Sequence, residues 1–352
     1  MIRLSLLQLR AQAITAAVAV TAFAVLLAVT GPHLASMYAA SGLQGCRSTN
    51  CSQLASSFLQ QVDSTGPYAT VSLLSIILIG LTPAVIGLFW GAPLIARELE
   101  TGTSDLAWSQ SVSRTRWLAV KLAVGGLAAM TITEALSLLF TWWAAPLSRA
   151  AGQGGSTNGV ARNQFDSLAF ATHGIAPLGY AAFAFALGVT VGALIRRTGP
   201  AMAVTLAIFV AVQIAMPLWI RPNLLPASHT TIAVADATTQ GIRQTDSPHI
   251  FTYILAAGSL PGQPEAWITS SGATDTKGHP VSTVLPSACS AAGSSGNSED
   301  FAKCLTNQGI RLGVTYQPAS RYWPLQGAET GIFLVLSLAL IGYCFRRISR
   351  LP

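Results

Sequence analysis

Six long apolar runs divide this chain: Ala13–Thr30, Val71–Trp90, Trp117–Trp143, His173–Ile195, Pro200–Ile220 and Ala328–Phe345. Each is close to the roughly 20 residues a helix needs to cross the hydrocarbon of a bilayer. The polar positions collect between the runs. The pattern predicts an all-α membrane protein of six transmembrane helices, with a long insertion between the fifth and sixth. Three blocks follow: residues 1–220 with five spans and a polar loop at 92–116, the insertion at 221–326, and the last span with its tail at 327–352. Arg3 and Arg10 precede the first run and small residues follow it at Ala39–Gly42, as in a signal peptide. The run is long for a signal core, so it is read as a retained helix.

The shorter segments carry weaker patterns. Before the first span, Ser5, Gln8 and Gln12 share one helical face and Ile2, Leu6 and Leu9 another. That suits a helix lying in the membrane interface, or simply the end of the first span. Gly31–Thr70 and Ala144–Thr172 read as outside loops. Pro83 predicts a kink in the second span. Gly199 and Pro200 read as the end of the fourth span and the start of the fifth. The insertion is too long for a bare loop. Within it, Ser298–Leu305 reads as a short helix with Gly309 beyond its end. Ile310, Leu312, Val314 and Tyr316 alternate as a half-buried strand would. These signs predict a small folded exoplasmic subdomain.

Composition supports the membrane reading: 51% of residues are hydrophobic and 9% charged, against about 25% charged in a soluble domain. Basic residues then choose the orientation. Arg3, Arg10, Arg97, Arg114, Arg116, Lys121, Arg196, Arg197, Arg346, Arg347 and Arg350 all fall in the short segments of one side. Short basic loops stay cytoplasmic, which puts both termini, residues 92–116 and Arg196–Gly199 inside the cell. The net charge of +7 mostly records this rule. No basic stripe with interleaved aromatics marks nucleic acid as a partner. Cys46 and Cys51 fall in the first outside loop, and Cys289 and Cys304 in the insertion. Local pairs on an oxidising face suit two disulfides, Cys46–Cys51 and Cys289–Cys304, with free thiols as the alternative.

Catalytic chemistry finds no foothold. The chain has no Gly-x-x-x-x-Gly-Lys-Ser/Thr, no His-Glu-x-x-His and no Gly-x-Ser-x-Gly. Its five histidines have no metal-ligand spacing. Glu134 is read as the one ionisable residue deep in a span, able to bond to Thr131 or Thr133. An intramembrane acid is a functional-site hypothesis by default, here a substrate or gating residue, with an interhelical hydrogen bond as the plain alternative. Gln213 in the fifth span is a weaker case. The small-residue runs Gly125–Ala129 and Gly188–Ala193 permit close helix packing.

The loop at 92–116 is the most informative segment. Leu94–Glu100 reads as a helical continuation of the second span, and Gly102 breaks it. Ser104 or Asp105 can cap a short helix over Leu106–Gln110, and Ser113 can cap the third span. Leu106 and Trp108 would be apolar anchors for a partner groove. Arg97, Glu98 and Glu100 would form its polar rim or brace neighbouring helices. Acidic residues are not needed for topology, so the loop reads as a docking surface rather than a solvated anchor.

Ala96-Arg97-Glu98-Leu99-Glu100-Thr101-Gly102-Thr103, followed by Leu106, Ser113-Arg114-Thr115-Arg116 and Lys121, resembles exporter-type (type V) ABC transporter permeases. Trp108–Leu118 is similar to actinobacterial members, and Tyr316–Gln326 has the same character. The resemblance implies a permease subunit in a bacterial plasma membrane, without its own ATPase site. It further implies a cytosolic ABC ATPase subunit binding ATP and Mg, a second permease copy (homo- or heterodimer), and a coupling helix in the 92–116 loop. A path for a drug-like, lipid or peptide substrate would lie between copies, lined by the second and fifth spans. Small permeases of this class have a short hairpin where this chain has its long insertion. The alternative is a sensor or immunity protein that binds an exoplasmic ligand without transport. A membrane enzyme lacks any catalytic constellation.

Overall fold

The structure, a computed structural model, describes residues 10–46, 51–100, 114–153, 163–234, 238–244, 251–256, 260, 263, 265–282, 284, 286–290 and 298–349. Six helices are long and apolar enough to cross a membrane: Ile14–Ala40, Tyr68–Glu100, Thr115–Gly152, Ala176–Ile195, Thr198–Asn223 and Ala319–Arg347. They match the six apolar runs, and the sheet-containing region lies between the fifth and sixth. The chain divides into two compact units. One comprises 1–151, 155–224 and 323–352, and the other 152–154 and 225–322.

The helical unit opens with α1 (Arg10–Ala40), which continues through Pro32 past the Thr30 end read from hydropathy. The region read as an outside loop holds a second helix, α2 (Cys51–Ser64). Its Ala55, Phe58, Leu59 and Val62 are buried at the i, i+3, i+4, i+7 spacing of one helical face. They pack with Leu27 and Leu34 of α1, Ile76 and Ile79 of the second span, and Phe140 and Trp143 of the third. A loop reading missed α2 because it is too short and too polar on its outer face to register as a span.

The second span is continuous in three parts: α3 (Tyr68–Ile86), a π-helical turn at Gly87–Gly91, and α4 (Ala92–Glu100). Pro83 has no N–H for the carbonyl four residues back, and the irregularity follows it as the π turn. The expected continuation over Leu94–Glu100 is present. The third span, α5 (Arg114–Gly152), runs nine residues beyond Trp143. A short helix α6 (Ser167–Thr172), capped by Asp166, leads into the fourth span, α7 (Ala176–Ile195).

Helix α7 is the centre of the unit: 78% of its span is buried, against 17–44% for the other five. The reason is glycine. A Cβ on Gly188 would stand 2.3 Å from the Gly87 carbonyl oxygen, and one on Gly192 would stand 2.4 Å from that of Ala92. From the other side, a Cβ on Gly91 would meet the Phe185 oxygen at 2.7 Å. Paired glycines four apart let two backbones touch, the small-xxx-small arrangement of membrane helices. The Phe185 ring fills the space over Gly125, whose Cβ would come within 2.6 Å of it.

Helix α7 ends on Arg196, which takes the left-handed conformation (φ 57°). The fifth span then begins at Thr198 as α8 (Thr198–Ala215), with Gly199 inside it. The end assigned to Gly199 therefore belongs to Arg196. A π turn at Met216–Ile220 and a 3-10 turn at Arg221–Asn223 finish the span.

In the second unit, β1 (Ser228–Ile232), β4 (Trp267–Thr274) and β5 (Arg311–Gln317) form an antiparallel sheet in the order β1-β5-β4. β2 (Thr238–Gln244) and β3 (Phe251–Ala256) pair as a ribbon. Helix α9 (Ser298–Asn307) follows the expected Ser298 start, and Gly309 beyond it has φ 74°. Phe301, Ala302 and Leu305 of α9 pack with Leu312 and Val314 of β5 and with Cys289. The alternation along β5 thus faces a real core. Cys289 and Cys304 are bonded, as are Cys46 and Cys51 in the helical unit. Cys344 is a buried free thiol on the last helix, α10 (Tyr322–Ser349).

Candidate functional site

Two polar constellations stand out in the helical unit, one at each end of the fifth span. At the α4 end, Glu98 is paired with Lys121 of α5. The Lys121 ammonium also lies 4.4 Å from the centre of the Trp117 ring. The pair closes the stem of residues 101–113, since Glu98 precedes that segment and Lys121 follows it. Glu100 reaches the first turn of α8, accepting from the Thr198 backbone N–H (3.0 Å) and from the Thr198 hydroxyl (2.8 Å). A carboxylate from another helix thus satisfies an orphan N–H of α8 and favours its dipole. Of the alternatives for Glu98 and Glu100, rim or brace, the geometry here is a brace. Arg97 stands beside them on α4, exposed. Leu106 and Trp108, with the expected helix at Leu106–Gln110, lie outside the described residues, as do the Ser113 cap and the helix of the first nine residues.

The other constellation was not anticipated. Arg221 and Glu329 are fully buried and form a bidentate pair: Nε donates to Oε2 at 2.8 Å and Nη2 to Oε1 at 3.0 Å. The Tyr180 hydroxyl of α7 donates to Glu329 Oε1 and lies 3.4 Å from Arg221 Nη2. The guanidinium is stacked 4.0 Å over the Phe170 ring. Its Nη1 is buried without a partner. Exposed Trp219 and Trp323 suit an aromatic belt, and Glu329 lies about 9 Å deeper along α10 at 1.5 Å per residue. Arginines near helix ends normally turn outward to water. Arg221 turns inward instead, held by fork-to-carboxylate geometry.

Glu134 is therefore not the one ionisable residue deep in a span. Its expected bonds are also absent. The Thr131 hydroxyl donates to the Leu127 carbonyl at 2.9 Å, and Thr133 Oγ1 and Glu134 Oε2 are buried without a partner. Gln213 is half-buried, on the i+4 row of Ala201, Thr205 and Phe209, which are buried. Neither comes together with the constellations above. The sequence did hold one signal for the missed pair: an acid just inside the last span and an arginine just beyond the fifth, of opposite sign at the same end of neighbouring helices.

Gln326 was missed as well. Its side-chain oxygen accepts from the N–H groups of Ile175 (3.1 Å) and Ala176 (2.7 Å), and its amide nitrogen donates to the carbonyls of Phe170 and His173, both at 3.1 Å. One buried amide thus satisfies the start of α7 and the end of α6. No group of three or more His, Cys, Asp or Glu able to hold a metal occurs among the described residues.

A family model described as ABC-2 membrane transporter related matches residues 17–221, more than half of the chain. This chain belongs to that family. It is a multi-pass membrane protein and a permease subunit of an ABC transporter, a class in which the ATPase is a separate subunit. No curated protein and no solved structure matches the chain. The ABC-2 match ends at Arg221, the last buried residue before the sheet-containing unit, so that unit and the sixth span lie outside it.

Proposed function

We propose that this ABC-2 permease exports a hydrophobic or amphiphilic solute (a drug-like molecule, lipid or peptide), driven by a cytosolic ABC ATPase that docks on residues 101–113. Both termini and this segment face the cytosol of a bacterial cell, as the distribution of basic residues in short loops argues. Leu106 and Trp108 are the apolar anchors for the ATPase. Arg97, Glu98 and Glu100 brace the stem that presents them. Two copies, identical or paired with a related chain, enclose the path between their second and fifth spans.

The observation that carries this reading is the stem itself. Within the family match, a charged helix emerges from the second span and is tied to α5 by Glu98–Lys121 and to α8 by Glu100–Thr198. A loop that only marked topology would need basic residues and no acidic braces. The test is purification of the intact chain in mild detergent with identification of co-purifying proteins. A P-loop ATPase should accompany it and be lost on Trp108→Ala. A clean oligomer without any ATPase, under conditions gentle enough to retain one, would overturn the exporter and favour a ligand sensor.

A further inference from the structure

We infer that Glu100 is the positioning residue that passes movement of the docking segment directly to the fifth span, with the Arg221–Glu329–Tyr180 cluster as the fixed end against which that span moves. This rests on the docking role proposed for residues 101–113.

The fifth span is attached differently from its neighbours. Helix α7 and the last helix are tied at three levels: by Gln326 at the start of α7, by Tyr180 with Glu329, and by the Thr190 hydroxyl donating to the Leu340 carbonyl at 3.2 Å. The fifth span has polar ties at its two ends. Thr198 is held by Glu100, and Arg221 by Glu329 and Tyr180. Between them only a narrow stripe of Ala201, Thr205, Phe209 and Met216 is buried, while Val204, Leu206, Ile208, Val210, Ile214 and Leu218 are exposed.

The two ends are not equivalent. The Arg221 end is a buried, bidentate ion pair, and breaking it would strand a buried charge. It is suited to stay closed. The Thr198 end is an exposed cap of two hydrogen bonds, cheap to shift. Its acceptor is the last described residue of α4, directly before the docking segment. Motion of that segment therefore pulls first on the carboxylate that caps α8. Because its far end is fixed, the fifth span answers by tilting or bending, with the π turn at Met216–Ile220 next to the fixed end to absorb the change.

Hydrogen exchange on the full-length chain with its co-purified ATPase tests this, comparing the nucleotide-free state with ATP plus vanadate. Exchange should change between states in residues 92–100 and in residues 198–203, and stay slow in both states around Arg221 and Glu329. In Glu100→Ala the change at 92–100 should persist while that at 198–203 is lost. Thr198→Ser, which keeps the hydroxyl, should retain both. A response at 198–203 that survives Glu100→Ala, or that never occurs while 92–100 responds, overturns the relay. Nucleotide-dependent opening at Arg221 and Glu329 overturns the fixed end. No response at 92–100 in the wild-type chain overturns the docking role, and this inference with it.

Discussion

Arg221 and Glu329 show what a single buried charge decides in this protein. Each is acceptable at membrane depth only because the other is present, and the Tyr180 hydroxyl adds a hydrogen bond to the carboxylate. Glu329→Gln should therefore destabilise the helical unit by about 3–5 kcal/mol, the usual cost of stranding one partner of a buried pair. Replacing both residues by apolar ones, Arg221→Met with Glu329→Leu, should recover most of that loss. Thermal unfolding in one detergent, run on the single and double variants, checks it. A Glu329→Gln chain as stable as wild type would mean that the pair is solvated. Gln326 belongs to the same scale. Its four hydrogen bonds leave no slack, so Gln326→Leu, which keeps the bulk, strands two buried N–H groups and should cost at least about 1–3 kcal/mol.

Among the elements, the crossing of α7 over the second span is the tightest contact. Gly188 and Gly192 stand against backbone oxygens that cannot rotate away. Gly188→Ala should lower stability by about 1–3 kcal/mol through overpacking. Gly199→Ala is the matched control. Gly199 sits in open space inside α8, where alanine should be neutral or gain up to about 1 kcal/mol. A comparison of the two unfolding temperatures separates helix crossing from general intolerance of substitution. The disulfide between the 3-10 turn at Ser287–Cys289 and α9 is a second element-level device. It closes a 15-residue loop, for which the chain-entropy model gives about 3 kcal/mol. Cys289→Ser with Cys304→Ser should make the 225–322 unit the first part to lose structure, visible as protease cleavage confined to it.

Across the whole molecule, the sheet-containing unit stands on its own core of α9, β4 and β5 residues, and the family match stops before it. The Arg221–Glu329 pair joins the two segments of the helical unit from which this insertion departs. A chain in which residues 225–322 are replaced by a short Gly-Ser linker should therefore remain monodisperse in detergent and retain the ATPase proposed to dock on residues 101–113. Aggregation of that variant would show that the six spans depend on the insertion.

Hydropathy by itself determined the number and approximate place of the spans, because crossing a bilayer demands a run of apolar residues whatever the neighbours are. It also exposed the helix and strand of the insertion around Ser298 and Tyr316, where local periodicity and a terminating glycine suffice. It could not show which polar residue meets which. Glu329 reads as one acid at the edge of an apolar run, and Arg221 as one more loop arginine, until the end of the fifth span and α10 bring residues 108 positions apart into contact. The same holds for Glu98 and Glu100: their charge marked the stem, but only the packing of α5 and α8 against α4 made them braces. Glycines in α7 announced close packing, yet their partners Gly87 and Gly91 were set by the crossing itself. Local pattern follows from the bilayer and the backbone; pairing follows from tertiary structure, because a buried charge or a bare backbone has meaning only through the group placed opposite it.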